Sequence, residues 1–214
     1  MKTFIFADKF FLKSDVKGPG YLEITDGIFG NYTKDEPQGD VKIIREEGKW
    51  IAPGLVDTHI HGYMNHDVMD NDAEGIKVMS EGLLSCGVTS FLPTTITQTE
   101  EVLLKAVANV AKVYDEGYEG AEILGIHFEG PYLDEEKRGA QPLSCIQTPS
   151  VEQFKKFQKA SNNLIKLITI ACEKDADYEL TKYLVSQGIR VSLGHSACNY
   201  KESYLAFANG ATSQ

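Results

Sequence analysis

The stretch GLVDTHIHGY sets His59 and His61 one residue apart, with Asp57 two residues ahead of the first. Alternate side chains of a strand point the same way, so both imidazoles project to one face and, near the strand's end, both can reach a single cation. His-x-His alone fits an ordinary polar strand equally well, and two further places in the chain change the balance. In ILGIHFEGPYL an apolar strand runs out at Glu129, where Gly130-Pro131 turns the chain away, and in RVSLGHSACNY another runs out at His195. Three separate segments thus bring His59, His61, Glu129 and His195 to the ends of strands, a nitrogen and oxygen set suited to zinc, iron or manganese.

Other polar residues carry less. His127 shares the inward direction of Glu129 and stands between two readings, a packed, hydrogen-bonded residue and a member of the site. His66 reads as a polar loop residue. Asp67, Asp70 and Asp72 lack the Gly and terminal Glu of a calcium loop and read as a solvated turn and a helix cap. The loop DEEKRGAQPL follows Glu129 at once: Gly139 and Ala140 let a ligand approach the backbone, and Gln141 can donate or accept a hydrogen bond. A mobile, charged surface loop is its other reading. The threonines of LPTTIT read as the end of a strand.

The elements that must position these groups alternate along the chain. From residue 51 on, GLVDTHIHG, VTSFLPTT, AEILGIHFEG, LIKLITIACE and IRVSLGHS read as strands, with helical periodicity near 73–86, 99–115, 150–161 and 176–187 and again from Tyr200. That alternation predicts an α/β fold of parallel strands joined by helical crossovers. No glycine-rich nucleotide loop follows any strand, which favours a (β/α) barrel of the TIM type over an open doubly wound sheet. A closed barrel takes ~250 residues, so the expectation is a partial barrel of about five of eight units over 52–214, in a chain that is a fragment. The first 51 residues read as a small β unit, sandwich-like, with Asp26-Gly27 as a hairpin turn.

Composition excludes some functions. In a chain of 214 residues, the formal net charge of -10 argues against nonspecific attraction to nucleic acid or anionic lipid, both of which need clustered Lys and Arg. No apolar run reaches the ~20 residues of a membrane span, and a cytoplasmic location is expected. Cys86, Cys145, Cys172 and Cys198 form no Cys-x-x-Cys and read as reduced, mostly buried thiols.

APGLVDTHIHG, TSFLPTTIT, LGIHFEGPYL, KRGAQ and VSLGHS, in this order, resemble the N-acetylglucosamine-6-phosphate deacetylases of the amidohydrolase superfamily. The resemblance implies a divalent metal, one or two ions, with Glu129 and His195 as principal ligands and His59 and His61 holding a second ion. It implies contacts of Ala140 and Gln141 with the sugar, a phosphorylated amino sugar as substrate, and a homodimer at full length. It also implies that the family's catalytic Asp and main phosphate-binding residues lie beyond Gln214. Hydrolysis of a cyclic amide or a dipeptide, and a catalytically inactive truncated chain, stand as alternatives.

Overall fold

The computed structural model describes residues 2–213. The chain divides into two compact units, Met1–Gly54 and Leu55–Gln214.

In the first unit, runs rich in Phe, Ile and Tyr form β1 (Lys2–Phe11), β2 (Val16–Lys17), β3 (Gly20–Thr25), β4 (Ile28–Thr33) and β5 (Val41–Ile51). β1 pairs antiparallel with β3 and, at its end, with β2, and parallel with β5; β3 pairs antiparallel with β4. Asp26 and Gly27, at φ 51° and 74°, close the β3–β4 hairpin. Two consecutive positive φ values are what a type I′ turn needs to match the twist of its strands. Ala7, Phe10 and Leu22 form the small core of this sheet.

The second unit starts with β6 (Leu55–Ile60), followed by a short hairpin of β7 (Gly62–Tyr63) and β8 (His66–Asp67). Helix α1 (Ala73–Leu84), β9 (Val88–Pro93), α2 (Glu100–Glu116), β10 (Glu122–Ile123), β11 (Ile126–Glu129), α3 (Val151–Ala160), β12 (Ile165–Ile170), α4 (Glu179–Ser186), β13 (Arg190–Leu193) and α5 (Tyr200–Ala208) follow in turn. β6, β9 and β10 lie side by side, as do β11, β12 and β13, every pair parallel. A parallel bridge between Thr94 and His127 joins the two sets, and Ser213 bridges to Ser192 beside β13. Order in space therefore follows order in sequence.

Helix starts are fixed by side chains that satisfy exposed amides. Asp72 accepts from Glu74 N, Thr99 from Val102 N and Ser150 from Gln153 N, while Asn199 and Glu202 form a capping box. Asp67 caps the 3-10 turn Val68–Asp70, so the acidic run after β8 is spent on caps, as its spacing predicts. Leu103, Val107 and Val110 of α2 recur at helical spacing and are fully buried, and Phe154 and Phe157 of α3 pack on Phe128 of β11. Among the described residues no helix is long and apolar enough to cross a membrane.

Two expectations need correction. AEILGIHFEG is not one strand: Gly125, at φ 150°, separates β10 from β11, and a Cβ there would meet Lys166 Cγ at 2.4 Å and Leu164 O at 2.8 Å. The pairing passes at this point from β9 to β12. The thiols are not mostly buried either. Cys172 is, but Cys145 and Cys198 are half-buried and Cys86 is exposed, because only Cys172 lies within the main core, while Cys198 packs at its margin and the other two sit in turns.

Candidate metal centre

Glu129, the last residue of β11, is 2% exposed and faces three imidazoles. His195 Nε2 and His59 Nε2 lie 3.2 and 3.4 Å from Oε1, and His61 Nε2 lies 3.3 Å from Oε2. The Nε2 atoms of His59 and His61 are 3.2 Å apart. His59, His61 and Glu129 each offer a ligand atom within 4.8 Å of the other two; His195 meets the carboxylate but stands outside that tighter set. The four residues thus come together: Glu129 ends β11, His59 and His61 flank the last residue of β6, and His195 follows β13 by two residues.

The supporting hydrogen bonds decide what each ring can do. His61 Nδ1 lies 3.2 Å from Thr94 O and His195 Nδ1 lies 3.0 Å from Lys137 O. A carbonyl only accepts, so each Nδ1 carries a proton, and in its neutral form each ring presents the Nε2 lone pair to the carboxylate side. Two such lone pairs beside an acceptor-only carboxylate leave a place for a cation, the test that a metal centre must pass. His127 differs: its Nδ1 donates to Thr58 O at 3.0 Å and its Nε2 accepts from the Thr169 hydroxyl at 2.8 Å. Both nitrogens are engaged, which resolves its two sequence readings toward a packed, hydrogen-bonded residue.

The backbone is shaped around the site. β6 loses register with β9 between Asp57 and Ile60, and there Asp57 Oδ1 accepts from His59 N at 3.0 Å while the Thr94 hydroxyl oxygen accepts from Ile60 N at 2.9 Å. His195 occupies the left-handed region at φ 49°, a conformation that costs a non-glycine residue roughly 1–2 kcal/mol. Its carbonyl accepts from Asp134 N at 2.9 Å, and with the bond to Lys137 O this holds the strained residue in place.

Electrostatics follow from this packing. Burial alone would raise the Glu129 carboxyl, but in the cation-free site the His61 hydrogen bond and the charges that His59, His61 and His195 carry when protonated outweigh it and bring the pKa down to about 2. The Glu129 bond in turn raises His61, against the effect of burial. Burial, aided by the His59 charge, lowers His127 to about 4.

Gln141 enters the same cluster. Its Nε2 donates to Glu129 Oε2 at 2.6 Å and its Oε1 accepts from Thr97 N at 2.6 Å, with the side chain buried. Ala140 is exposed, and a Cβ on Gly139 would lie 3.8 Å from His195 Cε1, so the loop passes directly over the site. His59, Glu129 and His195 open onto a cleft of about 430 Å³ that Thr169 and Ser213 also line. Sequence reasoning missed Thr94 and Lys137, which orient two histidines through main-chain carbonyls. Every residue has a carbonyl, so only the strand register for Thr94, and the path of the loop after β11 for Lys137, could have pointed to them.

The amidohydrolase family model matches residues 50–180. The N-acetylglucosamine-6-phosphate deacetylase of Bacillus subtilis (strain 168) is 36% identical over 189 residues, covering 86% of this chain and 48% of its own. That of Vibrio furnissii is 38% identical over 161 residues, covering 75% of this chain and 40% of its own. Among solved structures, N-acetylglucosamine-6-phosphate deacetylase from Pasteurella multocida superposes with a TM-score of 0.88 at 30% identity, covering 100% of this chain and 56% of that one. The chain thus spans about half the length of the curated relatives it matches. It belongs to the amidohydrolase family.

Proposed function

We propose, with that membership as premise, that these residues supply the metal-holding part of a hydrolase that removes the N-acetyl group of N-acetylglucosamine 6-phosphate, giving glucosamine 6-phosphate and acetate. The observation that carries this reading is the convergence of three imidazole nitrogens on Glu129, within 3.4 Å. The substrate is supported by the names of the relatives. His59, His61, Glu129 and His195 are the proposed ligands for one or two divalent ions of zinc, iron or manganese. When bound, such an ion supplies Lewis acidity toward an amide carbonyl and toward water.

The chain's own residues do the rest of what is proposed. Thr94 O and Lys137 O hold the histidine rings with Nε2 directed inward. Gln141 holds one oxygen of Glu129 and keeps one amide N–H, which with the exposed Ala140 backbone is the proposed contact with the sugar. An amide nitrogen leaves as an amine only after it gains a proton, so the reaction also needs an acid–base group. Glu129 is committed to the three histidines and Gln141, and Asp57 to His59 N, so neither takes that part.

The parallel strands of residues 52–214 are read as five units of a (β/α) barrel, supported by the superposition on an amidohydrolase. Residues 1–51 are read as one layer of a sandwich-like β unit, because Ile28, Phe29 and Trp50 are exposed apolar surface that a second layer would cover. A homodimer is proposed for the whole protein.

The test is acetate release from N-acetylglucosamine 6-phosphate by the metal-loaded protein, run with the 214-residue chain and with a version extended through its adjoining reading frame. Release by the extended protein that a chelator abolishes supports the proposal; no release from this substrate by either protein, with metal bound, overturns it.

A further inference from the structure

A second group of potential ligands lies in the same unit, formed by residues that the proposed hydrolysis does not use. Cys172 and Glu173 begin the 3-10 turn after β12, and Cys198 lies in the loop that leads from β13 to α5. Cys172 Sγ, a Glu173 carboxylate oxygen and Cys198 Sγ all lie within 4.8 Å of one another. We propose that Cys172, Glu173 and Cys198 form a second cation site, for a thiophilic divalent ion of the zinc class, distinct from the histidine centre.

The spacing suits such an ion. Three atoms at that largest separation have a common centre about 2.8 Å from each, a few tenths of an ångström outside the ~2.3 Å of a zinc–sulfur bond and the ~2.0–2.2 Å of a zinc–carboxylate bond. Small side-chain rotations close the difference, and solvent supplies the fourth position, since Glu173 and Cys198 are only half-buried.

The carboxylate is held as ligands usually are. Glu173 Oε1 accepts from Ala197 N at 2.6 Å and Oε2 from the Ser196 hydroxyl at 2.5 Å, which fixes the group while leaving a lone pair free on each oxygen. Both donors are neutral. The neighbouring cation, Lys174, is bound to Asp134 at 3.0 Å and Glu135 at 2.5 Å, and among the described residues no ion pair reaches Glu173. The negative charge is thus left for another partner.

A redox pair is the competing use of two close cysteines, and Glu173 argues against it. A carboxylate beside two thiols disfavours the thiolate that disulfide exchange needs, whereas a bound cation compensates all three groups. Binding releases two thiol protons to solvent as two sulfur–metal bonds form, and no electron is transferred. The donor set also separates the two sites, since sulfur selects softer ions than imidazole and carboxylate do. A bound ion would tie the end of β12 to the loop that carries His195.

Cobalt(II) titration of the chelator-treated, thiol-reduced protein tests the proposal. The expected result is one equivalent of a sulfur-to-cobalt charge-transfer absorption in the near ultraviolet. It persists in a His59→Ala, His61→Ala double variant and is lost in both Cys172→Ser and Cys198→Ser, while Glu173→Gln weakens binding about tenfold or more. The wild-type protein alone gives a second readout: zinc protects Cys198 from alkylation, and Cys86 stays reactive. Absence of the band from the reduced wild-type protein, its survival in either cysteine variant, or unprotected Cys198 in the presence of zinc overturns the proposal.

Discussion

Gln141 Nε2 donates to Glu129 Oε2 across 2.6 Å while Gln141 Oε1 accepts from Thr97 N. One amide thereby connects the loop after β11 to the carboxylate that faces three histidines. Replacing it with an apolar side chain of similar size removes a donor from a buried anion and leaves the Thr97 amide without its acceptor. Gln141→Leu is expected to lower metal affinity by about 10–100-fold, the usual effect of losing a group that orients a ligand. A competitive chelator titration measures this, and an unchanged dissociation constant would count against the arrangement.

Glu129→Ala and His195→Ala are each expected to reduce bound metal in the loaded protein, with the larger loss at Glu129, which meets every histidine of the group. Elemental analysis after gel filtration gives the number of ions per chain. Wild-type metal content in both variants would refute the proposed ligands.

The buried imidazole of His127 makes the metal-free protein sensitive to acid in a definite range. Its pKa falls from 6.5 to about 4 on folding, so its neutral form is favoured in the native state. The associated stability is fully present above 6.5 and is lost as the pH drops through the folded value, by about 3 kcal/mol in all at ~1.4 kcal/mol per unit. Glu129 adds a loss of the same sign lower down, between 4.5 and about 2, while His61, raised by its partner, contributes stability that is lost as the pH rises through its folded pKa. In urea titrations with chelator, His127→Gln should flatten the decline between pH 6.5 and 4. A slope equal to that of the wild type would show that burial of this ring is not its cause.

Gly130, next to Glu129, has φ 71°, and a Cβ added there would come within 2.0 Å of Thr97 Oγ1. Gly130→Ala therefore combines an unfavourable backbone, costing about 1 kcal/mol, with a clash in a buried place. It should lower the thermal midpoint and metal content together. Thr97→Ala removes the clashing hydroxyl, which has no hydrogen-bond partner among the described residues, and should recover part of both losses. A double variant no better than Gly130→Ala would mean that the contact is not what matters.

Much of this arrangement was legible in the residues, because it rests on patterns with a physical period. The apolar run that stops at Glu129 located the end of β11 and the one before His195 located the end of β13 to within two residues, and the spacing of His59 and His61 put both on one face. The helix cap in the run Asp67, Asp70 and Asp72 could be read for the same reason: such a side chain acts within three residues of itself. What depends on a partner far along the chain was hidden. The amide of Gln141, expected to face a sugar, is spent largely on Glu129 and Thr97, and nothing local to Gln141 could have indicated that. Cys172 and Cys198 looked unrelated until the pairing of β12 with β13 brought their following loops together.

Since the strands of the parallel array from β6 to β13 follow one another across it in chain order, with β10 and β11 both joined to the end of β9, the array can grow from one border as the polypeptide leaves the ribosome. Each strand of the array after β6 meets one that is already formed. A nascent chain arrested after Ile170 should already protect the amides of β9 against hydrogen exchange, with histidine 195 absent and three of the four converging side chains in position.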